Sequence, residues 1–284
     1  MPLVLPDDFQ FSQSALQDYA DCHRRFFLRW VTRRRYPAPE SEPMRAFEAR
    51  MELGERFHQI VEQHLAGVPA EALRTALGGD PDGDETLAGW FERCLKTALT
   101  DLPPQQRAEI TLSMPLADRR LVAKFDLLAI QPGARAVILD WKTAPRIPSR
   151  DELAGRWQTL LYPYVLAKAG AYLNGGKPFA PDQISLIYWF AEAPDQPVIF
   201  AYDDASHARA ESRLNDLVTD LLARPNEEAA FPLTSDLTRC RFCAYRSYCE
   251  RGTQAGDVLG AEVEGVKESP VLALDLDQVA EIAF

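Results

Sequence analysis

The chain has 284 residues, of which 46% are hydrophobic and 26% are charged. This composition is typical of a soluble globular protein and excludes a disordered, fibrous or disulfide-scaffold chain. A chain of this length forms one large domain or one domain with a sizeable insertion, because single hydrophobic cores stop growing at roughly 250 to 300 residues.

The N-terminal segment predicts no export. It begins Met-Pro-Leu-Val-Leu-Pro-Asp-Asp, without the basic start or the apolar length of a secretory signal. No stretch approaches the roughly 20 consecutive apolar residues of a membrane span. We therefore expect a cytoplasmic protein with no membrane partner, whose five cysteines are metal ligands or buried thiols rather than disulfides.

The net charge of -11 hides an asymmetry along the chain. Residues 253–284 carry seven acidic side chains against one lysine, whereas residues 19–36 and 238–251 are basic and contain cysteines. We interpret the acidic tail as a solvated appendage, with a nucleic-acid mimic and a docking peptide as alternatives. The basic stretches are either solvated helix faces or a surface for a polyanion.

The first third of the chain predicts helices. Ser12 or Ser14 can cap a helix whose apolar residues recur at near-helical spacing as far as Trp30. The further predictions are a proline-rich loop at 37–43, an amphipathic helix at 45–66, a turn at 78–83 and a helix at 85–100.

After Pro103 and Pro104 the pattern changes to that of strands. The predicted elements are strands at 108–116, 120–130 and 135–141 joined by short turns, a helix at 151–168 interrupted by Pro163, strands at 183–191 and 197–202, and a helix at 204–223. This order predicts an α/β core with a mixed sheet. The predicted organisation is a helical region 12–102, a core 103–224, a cysteine region 225–252 closed by Cys22, and an acidic tail 253–284.

Three cysteines lie within ten residues, at Cys240, Cys243 and Cys249. Thiolate coordination of zinc or of an iron–sulfur cluster needs a fourth ligand, for which Cys22 and Cys94 are the candidates. Cys94 lies in an apolar helical pattern and is interpreted as a buried thiol, whereas Cys22 lies beside arginines like those around Cys240. A single distant fourth ligand favours an iron–sulfur cluster, with zinc as the alternative.

Two aspartates and a lysine form the acidic constellation. Asp140 and Lys142 share one face at the end of an apolar strand, and Asp126 lies in the preceding strand. If the two strands form a hairpin, Asp126 and Asp140 lie across from each other, and a divalent cation relieves their repulsion. Taken alone, a strand-end aspartate more often faces solvent.

Two helical pairs accompany this constellation, His58 with Glu62 and Gln158 with Tyr162, each at i and i+4. The ordered series of His58, Asp126, Asp140-Trp141-Lys142 and Gln158-Thr-Leu-Leu-Tyr162, bracketed by Cys22 and the three later cysteines, resembles the PD-(D/E)XK nuclease superfamily. Within it, the chain is similar to the RecB-like iron–sulfur group, as in AddB-type nuclease domains and CRISPR-associated four-cysteine exonucleases. The resemblance covers residues 12–251.

The resemblance implies a restriction-endonuclease-like core, a mixed sheet flanked by helices, within a single nuclease domain at 1–252. It implies that Asp126 and Asp140 hold Mg or Mn, that His58 adds a ligand, and that Lys142 positions or deprotonates the attacking water. Gln158 and Tyr162 match the QxxxY motif beside the active site, and the four cysteines match a 4Fe-4S site. The chain departs from the family pattern at three positions. Ala123 stands where a glycine is usual, His23 stands where a proline is usual, and Pro163 directly follows the tyrosine of the QxxxY motif.

The function implied is a metal-dependent deoxyribonuclease, expected to act as an exonuclease on single-stranded DNA in repair or CRISPR pathways. Arginines beside the cysteines are expected to bind phosphates; they are Arg24, Arg25, Arg241 and Arg246. No P-loop is present, so unwinding would come from a partner such as a helicase, with CRISPR-adaptation proteins as other expected partners. The alternative is a catalytically silent nucleic-acid-binding or adaptor module with a structural metal centre, against which the intact Asp126, Asp140 and Lys142 speak.

Overall fold

A computed structural model describes residues 1–35, 42–78 and 85–252, with the side chains of 42–44 and 85 left out. Most of the predicted loop at 37–43, most of the turn at 78–83 and the whole acidic tail at 253–284 lie outside the described residues.

The N-terminal helix is broken at Cys22, although the sequence predicts one continuous helix. The helix α1 (Gln13–Asp21) is capped by Ser12, whose hydroxyl accepts from the N–H of Ala15 at 3.2 Å. Cys22 has extended backbone, and α2 (His23–Phe26) follows it before a π-helical turn at Phe27–Val31. The break leaves the Cys22 side chain between two helices rather than within one.

Three further helices precede the sheet. They are α3 (Glu42–Leu65), α4 (Ala70–Gly78) and α5 (Glu85–Arg93), the last continued by a π-helical turn at Cys94–Ala98. The predictions at 45–66 and 85–100 are confirmed in kind, whereas the sequence analysis missed α4.

The five predicted strands form one mixed sheet in the order β1-β2-β3-β4-β5, which confirms the α/β fold class. The strands are β1 (Gln105–Leu116), β2 (Arg119–Gln131), β3 (Arg135–Lys142), β4 (Ile184–Phe190) and β5 (Ala193–Ala201). β2 pairs with β3 and β4 with β5 in antiparallel fashion, whereas β3 and β4 are parallel. The parallel pair requires a crossover connection, which helices supply.

The crossover consists of α6 (Arg150–Gly155) and α7 (Trp157–Ala169), and α8 (Asp204–Ala223) follows the sheet. The predicted interruption at Pro163 is wrong, because Pro163 lies inside α7 and the helix break falls at Arg156, whose backbone is extended. Proline removes one helical hydrogen bond. Here most of α7 from Leu161 to Ala167 is buried, and this packing holds the helix together around the proline.

The chain divides into two compact units. The first contains residues 1–48, 114–122 and 208–252, and Phe9 packs edge-to-face there against Phe11, Phe26 and Trp30. The second contains residues 49–113 and 123–207, and its core is built on Phe57, Trp90 and Trp189. No helix in the part of the chain that the structure describes is long and apolar enough to cross a bilayer.

Candidate active site

The hairpin of β2 and β3 brings the two predicted acids together. Leu127 pairs with Leu139, and the next position on each strand holds Asp126 and Asp140. Directly opposed residues of an antiparallel pair project from the same face. Both carboxylates are buried, Asp126 at 2% exposure and Asp140 at 1%, so each needs polar or charged partners.

Asp126 has partners on two sides. Its Oδ2 accepts a hydrogen bond from the backbone N–H of Trp141 at 3.0 Å, and its Oδ1 lies 3.4 Å from His58 Nδ1. The Nδ1 atom is buried and makes no hydrogen bond to any residue that the structure describes. The imidazole therefore presents a ring nitrogen to the carboxylate, as a pair of metal ligands would. Glu62, the other member of the helical pair, is exposed.

Asp140, Lys142 and Gln158 form a closed group. The Lys142 amine lies 2.8 Å from Asp140 Oδ2 and donates to Gln158 Oε1 at 2.9 Å. Gln158 Nε2 donates to Asp140 Oδ1 at 2.5 Å. The amide of the buried Gln158 thus holds the carboxylate with one end and the amine with the other, which fixes both charged groups.

Tyr162 lies one helical turn after Gln158 on α7. Its ring is buried and packs against Phe125 with the ring centroids 5.0 Å apart. Phe125 immediately precedes Asp126 in β2. The tyrosine therefore contacts the neighbour of one acid, whereas the glutamine contacts the other acid directly.

Glu109 is a candidate metal ligand that the sequence patterns do not indicate. Donor atoms of His58, Glu109 and Asp126 all lie within 4.8 Å of one another, and Asp140 lies outside this group. Glu109 also forms an ion pair with Lys124 at 2.8 Å. Its φ of 51° is left-handed, which is unusual for a residue other than glycine. No sequence pattern signals that conformation, and an acid within β1 otherwise indicates a solvated position.

The four predicted cysteine ligands lie within the first unit. Cys22, Cys240, Cys243 and Cys249 line one pocket, together with Arg25, Arg239, Arg246 and Arg251 among others. All four cysteines are free thiols. Burial raises the pKa of the Cys243 thiol to about 11 and also raises the pKa values of Cys240 and Cys249.

Cys94 behaves as the sequence predicts. It is completely buried in the core of the second unit, beside Trp90 and Phe91. Burial raises the pKa of its thiol to about 12. A neutral thiol in such surroundings acts as a small apolar side chain.

The predicted phosphate-binding arginines differ in their surroundings. Arg24 donates to Glu228 at 2.7 Å, and Arg25 forms ion pairs with Asp18 and Asp21 at 2.6 and 2.9 Å. The other two lie in the cysteine region: Arg246 donates to the backbone carbonyl groups of Arg251 and Arg241 at 3.0 and 3.1 Å, and the Arg241 side chain is exposed. Of the four, Arg241 is the best placed to meet a ligand from solvent.

Comparison with known proteins finds one matching family model and two similar solved structures. The model of the PD-(D/E)XK nuclease superfamily matches residues 10–250. A protein from Eubacterium rectale described as a candidate exonuclease has a TM-score of 0.48 at 11% identity, over 76% of this chain and 81% of its own. The crystal structure of SSO0001 has a TM-score of 0.38 at 12% identity, over 87% and 88% of the two chains. No curated protein sequence matches the chain.

Proposed function

The chain belongs to the PD-(D/E)XK nuclease superfamily, and on that premise we propose that it is a metal-dependent nuclease that removes nucleotides from the ends of single-stranded DNA. The observation that carries the proposal is the closed group of Asp140, Lys142 and Gln158 beside Asp126. The preference for single-stranded ends rests on the resemblance to the RecB-like group.

A divalent cation fits the donor set of the second unit. His58, Glu109 and Asp126 would hold it with one nitrogen and two carboxylate oxygens, and the family pattern adds Asp140. Oxygen donors suit Mg, and the imidazole nitrogen favours Mn. When bound, such a cation lowers the pKa of water and neutralises charge on the scissile phosphate.

The protein's own groups orient the reactants. The Lys142 amine can hold or move a proton at Nζ, a capacity that a permanently charged arginine lacks. Gln158 keeps that amine beside the Asp140 carboxylate. Exclusion of water by the buried strands strengthens the electrostatic interactions of these groups.

Degradation of an end-labelled oligonucleotide in Mn or Mg tests this proposal. We expect wild type to release labelled mononucleotides and Lys142→Ala to lose on the order of 100-fold or more in rate. Lys168→Ala is the matched control, since Lys168 is exposed on α7. Equal rates for wild type and Lys142→Ala contradict the proposal, and binding without cleavage by wild type indicates the silent binding module instead. Labelling each end in turn gives the polarity.

We also propose that Cys22, Cys240, Cys243 and Cys249 bind a structural 4Fe-4S cluster. Four thiols around one pocket form the donor set that iron–sulfur clusters and structural zinc both use. The surrounding arginines would offset the negative charge of the thiolates. In this arrangement, the cluster would link Cys22 to the segment 240–249, which lies more than 200 residues later in the sequence.

Iron and sulfide content of anaerobically purified protein tests the cluster. Wild type and Cys94→Ala are expected to hold about four irons per chain, and Cys22→Ser far fewer. Stoichiometric zinc with no iron in wild type would replace the cluster with a zinc site. Equal iron in all three proteins would remove Cys22 from the ligand set.

Arg241 is the exposed arginine beside the cysteines, and we propose that it contacts DNA, the polyanion that the resemblance implies. A helicase or a CRISPR-adaptation protein is the corresponding protein partner. Co-purification of such a partner, sensitive to salt if the contact is electrostatic, would support it.

A further inference from the structure

At the end of β3, an arginine side chain supplies the hydrogen bonds that a neighbouring strand would otherwise supply. The parallel register of β3 and β4 ends where Lys142 pairs with Phe190, and the Lys142 carbonyl then accepts from the N–H of Ala191 at 2.9 Å. The next carbonyl, that of the buried Thr143, accepts from Arg50 Nε at 3.1 Å and from Arg50 Nη2 at 2.6 Å. Leaving a buried carbonyl without a hydrogen-bond donor would lower the stability of the fold, and the Arg50 guanidinium provides that donor.

Arg50 is itself held in place. Its Nη2 also donates to Glu192 Oε1 at 2.6 Å, and its guanidinium lies 4.5 Å from the centroid of the buried Trp90 ring. Only 20% of the Arg50 side chain is exposed. The planar, multi-donor guanidinium reaches one carbonyl with two N–H groups, which a lysine amine cannot reproduce.

One face of α3 contacts this strand end more than once. Arg50, Gly54 and His58 are spaced four residues apart, so they lie on the same side of the helix. A Cβ atom at Gly54 would lie 2.7 Å from the Thr143 hydroxyl oxygen, so a side chain at this position would force Thr143 or the helix to shift. One turn later, His58 lies beside Asp126.

We propose that Arg50 is a positioning residue of the nuclease centre: by holding the Thr143 carbonyl, it fixes the strand end from which Lys142 reaches Asp140 and Gln158. The inference rests on the proposed role of Lys142. Arg50 acts through the backbone and contacts none of Asp126, Asp140 and Gln158 in the described contacts, so its loss misplaces the amine without removing a catalytic group.

The kinetic test compares Arg50→Met and Arg50→Lys with wild type in the oligonucleotide assay. We expect kcat to fall about 10- to 100-fold in Arg50→Met, with KM unchanged within about twofold. Arg50→Lys keeps one donor and is expected to lie between the two. Arg74→Met is the matched control, because Arg74 is an exposed arginine that pairs with Glu71 and Glu92.

Hydrogen–deuterium exchange gives a readout independent of activity. Arg50→Met is expected to speed exchange in the peptide covering residues 141–146 at least tenfold while leaving residues 127–130 of β2 protected. This local pattern separates a loosened strand end from general unfolding, and Arg50→Lys supplies the same comparison if Arg50→Met does not fold.

Three outcomes overturn the inference. They are a wild-type kcat in folded Arg50→Met or Arg50→Lys, a kcat loss of the same size in Arg74→Met, and exchange that rises equally over the whole chain. If Lys142→Ala is inactive while the Arg50 variants are not impaired, only this inference fails. If Lys142→Ala remains fully active, the proposed function fails first.

Discussion

Asp126 accepts a hydrogen bond from the backbone N–H of Trp141 at 3.0 Å. Trp141 lies between Asp140 and Lys142, so this bond ties the acid of β2 to the strand segment that carries the other acid and the amine. Any shift of one strand along the other would break it. The relative positions of the three charged groups therefore depend on the register of one hairpin.

Glu109→Gln is expected to weaken Mn binding by about 10- to 100-fold. The change removes the charge of one of three donors that lie within 4.8 Å of one another, and nearly preserves its shape. Isothermal titration with Mn measures the effect, with Glu55→Gln as a control because Glu55 is exposed on α3. An unchanged Mn affinity would show that Glu109 serves Lys124 alone.

Gly54→Ala is expected to destabilise the protein by about 1 to 3 kcal/mol. The new Cβ would lie 2.7 Å from the hydroxyl oxygen of the buried Thr143, so either the Thr143 side chain must leave its position or α3 must move away from the strand end. Gly89→Ala is the matched control, since the nearest atom to its Cβ is the flexible Arg93 Nη1 at 3.7 Å. Alanine at position 89 should be neutral or stabilising, because glycine is the poorer helix former. Urea unfolding of both variants measures the difference, and equal effects would contradict the close approach.

Much of the fold follows from local signals in the sequence. The turn at Gln131-Pro132-Gly133 and the apolar runs on either side of it predict the hairpin and, through its register, the meeting of Asp126 and Asp140. The register is set by residues that are close together in the sequence, so it can be predicted from this sequence alone.

The remaining features depend on distant contacts or unusual backbone. Arg50 reaches a carbonyl 93 residues away, and Glu109 reaches its partners from a left-handed backbone conformation. Neither leaves a periodic pattern. The continuity of α7 through Pro163 and the break at Cys22 also go against local propensity, because tertiary packing decides where these helices end.

Metal loading of the cysteine site is expected to depend steeply on pH. Burial raises the pKa of Cys243 from its ordinary 9.0 to about 11, so the thiol is protonated at neutral pH when no metal is bound. Binding a cation therefore releases protons, and affinity rises with pH below these pKa values. Titration of metal-free protein with Co, followed by its visible absorbance, should give tighter binding at pH 8 than at pH 6. Equal affinity at the two pH values would contradict thiolate ligation.

The same pKa shift predicts the stability of the metal-free protein. A thiol whose pKa is raised by folding stabilises the folded state below its ordinary value, and this contribution is lost as the pH rises towards about 11. Thermal unfolding of metal-free wild type should show a lower Tm at pH 10 than at pH 8. Cys243→Ser should reduce that difference.

Arg241→Ala is expected to weaken binding of single-stranded DNA and to make it less sensitive to salt. Each phosphate contact that is lost lowers the slope of log K against log salt by about 0.7. Fluorescence anisotropy at several salt concentrations measures the slope, with Arg74→Ala as the control. An unchanged slope for Arg241→Ala would place the DNA elsewhere.

Single-turnover cleavage of labelled single-stranded DNA by wild type and Asp140→Asn, in Mn, tests the central claim most directly. Asparagine keeps the shape of the buried side chain but removes the charge beside Lys142. We predict rapid cleavage by wild type and by the exposed control Asp195→Asn, and a rate lower by on the order of 100-fold or more for Asp140→Asn. Cleavage by Asp140→Asn at the wild-type rate would contradict the assignment of this site as a nuclease centre.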